Sequence, residues 1–468
     1  MSVQANEPTI NMAIESWGHG VQSVDPRQLL RNHVTVDNAR LVIGDQIFST
    51  SDFDRIRVVG AGKVAGTMAE AFEDALGPDL AIEKKASGLV NVPQDKYGGR
   101  LLAGSRIWQF PARPVGENLP TADAFGATLL IEDLVQQAGP RELCICLLSG
   151  GASALLTHPP NKIKLSDKRK LVQWLGRSGA SIQQINTVRK HVSDVKGGRL
   201  AARFNGFHMA CLIIPDVIGD QIDIIGSGPT VADPSTPAEA WAILRELDPK
   251  MRNVPASIQR YLKRRKQTAI KPPKNVSNHI MGHISEALNS VVEFAKAKHF
   301  DCSSELQSDE FETVEQAGQR LGQWILDQMG PSPKPRMIVS GGEPVVRLCA
   351  KPGIGGRNSH LVLVALEHLL KANASIEQPF ALLSGGTDGE DGSAPAAGAW
   401  ISHQTINQVR QMDLNPQPFL KSNNSHQFFS ELGFGIFQGS PQYRTNVCDL
   451  RIGVVGSNRP LWGPERDQ

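Results

Sequence analysis

Residues 381–399 read ALLSGGTDGEDGSAPAAGA, and the organisation of the chain can be worked outward from them. Ala381, Leu382 and Leu383 form the short apolar run that a fully buried parallel strand requires. The chain then turns at once into Ser384, Gly385, Gly386, Thr387, Asp388, Gly389, Glu390, Asp391 and Gly392. Glycine admits positive φ and lets a ligand approach the backbone, while Asp388 and Asp391 offer hard carboxylate oxygens of the kind that hold Mg²⁺ beside phosphates. A plain surface turn would use the same turn formers. Two further strand-like runs, 143–148 and 337–339, favour function, because they too end in Ser-Gly-Gly, at Ser149-Gly150-Gly151 and Ser340-Gly341-Gly342. Ligands of open α/β sheets bind beyond the carboxyl ends of strands. The three ends are therefore expected to line one crevice.

The 468 residues are enough for two or three domains, and a formal net charge of +2 without a long basic run argues against a nucleic-acid partner. Six cysteines show neither a CxxC pair nor zinc-type spacing, so they are expected to be reduced and mostly structural, in a cytoplasmic protein. No apolar stretch is long enough to span a bilayer, and the first twenty residues lack a signal-peptide pattern, so no membrane partner is expected.

The chain opens with a helical pattern up to about Leu30. The first clear strand, 56–59, runs into Gly60-Ala61-Gly62-Lys63 and then a helical pattern over 64–76. Strand, glycine turn and helix make an anion site, because first-turn N–H groups and the helix dipole face whatever binds there. Lys63 adds a cation. Gly60, Gly62 and Ala65 also fit GxGxxA, but the next strand, 88–92, ends in Asn91, Val92 and Pro93 where a dinucleotide fold places its ribose-binding acid. Ser149 and Ser153 either offer hydroxyls to a phosphate or carboxylate, or cap the helix that follows. In 185–201, INTVRKHVSDVKGGRLA, a helix would bring Arg189, Ser193 and Lys196 to one face, suited to an anionic substrate; His191 fits packing better than catalysis. Beyond the strand 209–214 stand Asp216 and Asp220, able to ligate a metal or a substrate hydroxyl, and Asp233-Pro234 reads as a turn. Residues 263–278 read as an interdomain linker and 345–348 as a hairpin partner. Gly341-Gly342-Glu343 and Gly355-Gly356-Arg357-Asn358 complete the set, the latter placing an arginine at a glycine-rich helix start, where it can clamp a transferring phosphoryl group. Residues 433–439 and 451–455 read as closing strands.

With these motifs in this order from about 13 to 455, the sequence resembles the glycerate 2-kinases of the MOFRL family. The resemblance implies two α/β domains around a cleft. The first, 10–270, is a Rossmann-like parallel sheet with helices on both faces, and the second, 275–468, is a smaller MOFRL-type domain with its core at about 335–455. It implies phosphorylation of D-glycerate at the 2-hydroxyl with ATP and Mg²⁺, with Lys63 and Arg357 as the catalytic cations. On that basis Gly60, Gly62, Ser149, Gly150, Gly151, Ser153, Gly341, Gly342, Glu343, Gly355, Gly356 and Asn358 bind the nucleotide. Arg189, Lys196, Asp216 and Asp220 serve the small hydroxy-acid substrate, and Asp388 and Asp391 organise the metal. A homodimer is left open. The chain departs from the family pattern at His360, where a glutamate is usual, and at Pro215, where a serine is usual. It departs again at Asn424-Ser425-His426, and in the loop Gly439–Asn446, which gains Tyr443 and Arg444. These changes leave another hydroxy acid open as acceptor, or a protein that only binds a metabolite. The main rival activity is an NAD(P)H-dependent hydroxypyruvate reductase, a name carried by relatives, against which the missing strand-end acid counts.

Overall fold

The computed structural model describes residues 7–37, 39–94, 106–114, 119–217, 219, 221–265, 270–309, 311–372, 378–440 and 445–457. Its contacts divide the chain into two units, Pro26–Met281 and Met1–Asp25 with Gly282–Gln468. The first opens with a small antiparallel meander of four-residue strands, β1 (Val34–Asp37), β2 (Arg40–Ile43) and β3 (Gln46–Ser49). Six parallel strands follow: β4 (Arg55–Ala61), β5 (Ser87–Pro93), β6 (Ile107–Arg113), β7 (Glu142–Ser149), β8 (His208–Ile214) and β9 (Val276–Ile280). Their order, β6-β5-β4-β7-β8-β9, is the doubly wound order, with its reversal between β4 and β7.

The apolar run of β7 explains its central place. Cys144, Cys146 and Leu148 join a core with Ile131 and Val135 of the helix Ala122–Gln136. Ile145 and Leu147, equally buried, face the other way because successive side chains alternate. The six cysteines are free; Cys144, Cys146, Cys211 and Cys448 are buried as small core hydrophobes, and burial first among the causes pushes the Cys144 thiol up, while Cys302 and Cys349 are half-buried. The stretch 263–278 is only partly a linker: its last residues enter β9, which pairs with β8, and the unit boundary falls at Met281 and Gly282.

The second unit holds a mixed sheet of β10 (Asp301–Leu306), β11 (Arg336–Gly342), β12 (Phe380–Gly386), β13 (Gly398–Ser402), β14 (Ile436–Phe437) and β15 (Asp449–Val455), in the order β10-β11-β15-β12-β13-β14. Only β10 and β11 pair in parallel; β15 runs antiparallel between β11 and β12. Residues 381–383 are thus fully buried as expected, but between antiparallel neighbours. Because β11 and β12 point the same way, Gly342 and Gly386 flank the start of β15, and Asp449 is the register partner of both.

The helix Pro8–Ser23, expected with the N-terminal domain, belongs to this second unit. Its buried stripe of Ile10, Met12, Ala13, Trp17 and Val21 is the reason, each large member contributing about 1.5–3 kcal/mol by leaving water. Trp17 sets its ring edge against Phe437 at 4.9 Å and donates its indole N–H to the Gly385 carbonyl at 3.3 Å. The expected hairpin at 345–348 reduces to one isolated bridge from Val345 to Thr313. Among the described residues no helix is long and apolar enough to cross a membrane.

Candidate active site

At the reversal of the parallel sheet, the loops leaving β4 and β7 brace each other. Lys63 N–H donates to the Gly150 carbonyl at 2.8 Å, Val64 N–H to Ser149 Oγ at 3.2 Å, and Gly62 N–H to the Asn91 carbonyl at 3.2 Å. Glycine is required for this approach: at Gly62, φ is +151° and a Cβ would stand 2.0 Å from Ser149 Oγ. The stem of Lys63 lies over Gly151, 3.1 Å from where a Cβ would be, and the helix Ala65–Glu83 begins two residues on. Lys63 is thereby fixed against the Ser-Gly-Gly turn at the place where doubly wound sheets bind phosphates. Ser149, whose role the sequence left open, is a buried acceptor for the β4 loop, and Ser153 Oγ lies 2.8 Å from Ser227 Oγ. At the end of β5, Asn91 is fully buried and donates its amide to the Leu155 carbonyl at 2.9 Å, so among the described residues this strand end presents no carboxylate to a ribose.

The helix expected across 185–201 ends at His191, and the chain then turns, with φ of +59° and +77° at Gly197 and Gly198. Arg189 and Lys196 therefore do not share a helical face. They converge nonetheless. Lys196 is buried and donates to the Gly226 carbonyl at 3.0 Å; burial, then Lys168 and Arg189, hold its pKa well below the ordinary lysine range. Burial lowers Arg189 to about 10. Lys168, which the sequence does not single out, lies among Asp167, Arg169 and Lys170 on the helix Leu165–Leu175, in what reads as an ordinary solvated charge run. Its side chain is buried all the same. Burial draws it down to about 7, Asp194 and Glu132 opposing the shift and Arg189 adding to it. His191 packs as expected, its Nε2 3.1 Å from Ser235 Oγ, and burial takes it to about 4. Asp233 is more than a turn residue: its buried carboxylate lies 3.6 Å from Lys190 and 3.5 Å from His191. Asp216 follows β8, and Asp220 lies outside the described residues.

In the second unit Arg357 opens the helix Arg357–Lys371 and is held by two carboxylates. It donates from Nη2 to Glu343 Oε1 at 2.5 Å, from Nε to Asp449 Oδ2 at 2.5 Å, and from Nη2 to Asp449 Oδ1 at 3.2 Å. Burial opposes its charge, but Asp449 and Glu343, with Asp388 beyond them, raise its pKa above the ordinary arginine value. Asn358 ties the same corner together, donating to Asp449 Oδ1 at 3.0 Å and accepting from Ser384 Oγ at 2.6 Å. Buried Arg451, absent from the sequence expectations, braces β11 through Ser340 Oγ at 3.2 Å and the Gly342 carbonyl at 2.9 Å. The Ser-Gly-Gly ends at 340 and 384 belong to the mixed sheet of this unit, and that at 149 to the parallel sheet of the other.

Asp391 departs from its expected role. It accepts from Asn358 N–H at 2.8 Å and Ser359 N–H at 3.0 Å, one per carboxylate oxygen, and is buried. It caps the helix that carries Arg357. Gly356 makes room for it, since a Cβ there would stand 2.3 Å from Asp391 Oδ1. Burial raises Asp391 to about 6 against the pull of Ser359 and Asn358. Asp388 stands two residues beyond β12 and accepts from Glu390 N–H at 2.9 Å. Among the described residues no three His, Cys, Asp or Glu side chains gather as a metal site. Magnesium carried by a nucleotide needs only one or two carboxylates, which Asp388 can supply.

Most departures from the family pattern are scaffolding. Buried His360 places Nε2 3.6 Å from Glu315, Asn424 Oδ1 accepts from Ile354 N–H at 2.8 Å, and Ser425 Oγ meets Ser359 Oγ at 2.8 Å. Thr445 donates to the Val24 carbonyl at 2.6 Å; Tyr443 and Arg444 lie outside the described residues.

Each unit carries glycine-rich strand ends, with a braced lysine in the one and a carboxylate-held arginine in the other, residue types suited to phosphoryl-transfer chemistry in an α/β protein. Residues 12–263 match a family described as a domain of unknown function (DUF4147), and residues 336–449 match the MOFRL family. The chain is 33% identical to a D-glycerate 2-kinase from Thermotoga maritima over 407 residues, 86% of this chain and 91% of that one. It is 30% identical to a glycerate 2-kinase from Pyrococcus horikoshii, covering 94% and 96%. A relative named putative hydroxypyruvate reductase, from Agrobacterium vitis, is 35% identical, covering 86% and 87%. The crystal structure of the glycerate kinase from Thermotoga maritima superposes with a TM-score of 0.74 at 30% identity, covering 95% of this chain and 99% of that one. The chain belongs to the glycerate 2-kinase family and has its two-domain α/β fold.

Proposed function

We propose that this protein is an ATP-dependent kinase that phosphorylates D-glycerate at the 2-hydroxyl. The observation that carries the proposal is Lys63, its amide tied to the Gly150 carbonyl and its stem laid over Gly151 at the reversal of a doubly wound sheet. Phosphoryl transfer is mostly positioning and charge neutralisation. Lys63 and the first-turn amides beside it neutralise phosphate oxygens, and Arg357, aimed in advance by Glu343 and Asp449, stabilises charge on the transferring group. Asp388 would hold the Mg²⁺ that accompanies ATP, which supplies further neutralisation of the phosphates. Asp391 acts on this chemistry only by fixing the helix start behind Arg357. Arg189 and Lys196 hold the acidic end of the substrate. The free cysteines fit a cytoplasmic location.

The test is phosphorus NMR of the products from purified protein, ATP, Mg²⁺ and D-glycerate. A 2-phosphoglycerate signal that vanishes in Lys63→Ala is expected; intact ATP with D-glycerate would send the search to other hydroxy acids. The reductase name of one relative is addressed by titration with NADH and NADPH, where the buried Asn91 in place of a ribose-binding acid predicts no tight binding.

A further inference from the structure

Lys168 is 1% exposed, and among the described residues its ammonium has no hydrogen-bond partner. Lysines that serve packing bury the stem and leave the head in water, so a buried, unaccepted ammonium is an unfavourable arrangement that calls for a reason. Its surroundings deepen the puzzle. Arg189 lies close enough to disfavour its charge, and Lys168 and Arg189 both disfavour that of buried Lys196. The acidic groups facing Lys168 are Asp194 and Glu132, and Glu132 is already engaged by His158 at 2.7 Å and Arg203 at 3.3 Å. Lys196 donates to the Gly226 carbonyl, and the neighbouring Ser227 donates to Asn186 Oδ1 at 3.0 Å and meets Ser153 Oγ at 2.8 Å. Ser153 stands two residues beyond Gly151, the glycine under Lys63. The cations are therefore joined, within one unit, to the loop that positions the catalytic lysine.

We propose that Lys168, Arg189 and Lys196 form a desolvated oxyanion site that seats the carboxylate of the hydroxy-acid acceptor, an assignment that rests on the kinase reading above. The carboxylate supplies the acceptor that Lys168 lacks and the counter-charge that the cluster is short of. Because Lys168 is held at about 7, binding above that pH draws in a proton.

The experiment is calorimetric titration of the full chain with D-glycerate, and separately with a non-hydrolysable ATP analogue, at pH 8 in two buffers of different ionisation heat. Lys168→Met and Lys168→Arg are compared with wild type. Wild type is expected to take up close to one proton at Lys168 per D-glycerate bound, over and above any uptake at buried Lys196, which the Lys168 variants retain. Lys168→Met loses that uptake, binds D-glycerate at least tenfold more weakly, and melts at a higher temperature at pH 6.5 because a buried charge is gone. Lys168→Arg restores affinity without the uptake, and affinity for the ATP analogue stays within twofold in every variant. Unchanged D-glycerate affinity and proton uptake in Lys168→Met overturns the proposal even where kinase turnover is intact. Weakened ATP-analogue binding with unchanged D-glycerate binding overturns it too, giving the site to a nucleotide phosphate. Where wild type neither binds nor turns over D-glycerate, titration with inorganic phosphate separates the two claims. Proton-coupled binding that depends on Lys168 keeps the oxyanion site while the D-glycerate assignment falls; binding independent of Lys168 overturns both.

Discussion

Replacing Asp391 by alanine separates its capping role from the metal role that its acidic loop suggests. Both carboxylate oxygens accept from first-turn amides, of Asn358 at 2.8 Å and Ser359 at 3.0 Å, in a buried setting. A hydrogen bond to a charged group contributes about 1.5–3 kcal/mol, and the amides left behind would be buried without partners, so loss of the pair should cost about 3–5 kcal/mol. At about 1.4 kcal/mol per factor of ten, opening of the helix start becomes roughly two to three and a half orders of magnitude more frequent. Hydrogen exchange read on peptides covering residues 356–362 of the full chain measures this directly, which matters because a two-unit chain need not unfold in one step. Asp391→Asn should cost about half as much, since Oδ1 can be kept while an NH₂ replaces the oxygen that faces Ser359 N–H. Turnover falls in both variants through Arg357, whose place in the first turn is loosened, while the Mg²⁺ concentration for half-maximal rate is unchanged. Near-native exchange at 356–362 together with a tenfold or larger rise in the Mg²⁺ requirement would refute capping and return Asp391 to the metal.

Lys63→Ala and Arg357→Ala are each expected to lower kcat by about three orders of magnitude or more, with native circular dichroism; steady-state kinetics showing a drop of less than tenfold would remove that residue from the chemistry. Gly62→Ala drives a Cβ to 2.0 Å from Ser149 Oγ at a φ of +151°, so overpacking and backbone strain together should destabilise the parallel-sheet unit by about 2–4 kcal/mol, visible as a lower melting temperature. Lys168, lowered from 10.5 to about 7, binds its proton more weakly folded than unfolded, so its charged form opposes folding fully below about pH 7 and the penalty is relieved as pH rises toward 10.5. The slope is up to about 1.4 kcal/mol per pH unit, and urea titrations of Lys168→Met across that window should show it flattened.

Strand ends were the most legible part of the chain, because a buried parallel strand needs an unbroken apolar run and a close backbone approach needs glycine; both are residue-type signals. Hence β4, β7, β8 and β12 and the loops at Gly62, Gly151 and Gly356 stand where their sequences suggest. Pairing was less legible. Nothing in 381–383 distinguishes parallel from antiparallel neighbours, since β15, which decides the matter, lies more than sixty residues downstream. For the same reason the helix Pro8–Ser23 reads as the start of the first domain, although it packs on the helix Ile284–Ala297, β12 and β15, all far downstream.

The site shows the same divide at the level of single atoms. Asp388 and Asp391 are identical in type and three residues apart, yet one has both oxygens on helix amides and the other does not, a difference set by where Gly355 and Gly356 bring the start of the next helix. Lys168 is the converse. Within Ser-Asp-Lys-Arg-Lys it looks like one more solvated cation, and only the packing of Leu171, Val172 and Leu175 on its helix turns it inward. Residue type thus supplies the chemical repertoire of the two clusters, and the fold decides which members keep a free valence for substrate. On that criterion the lysine with no acceptor among the described residues is a stronger substrate candidate than the aspartate whose oxygens are both engaged, the reverse of the order that their sequence contexts suggest.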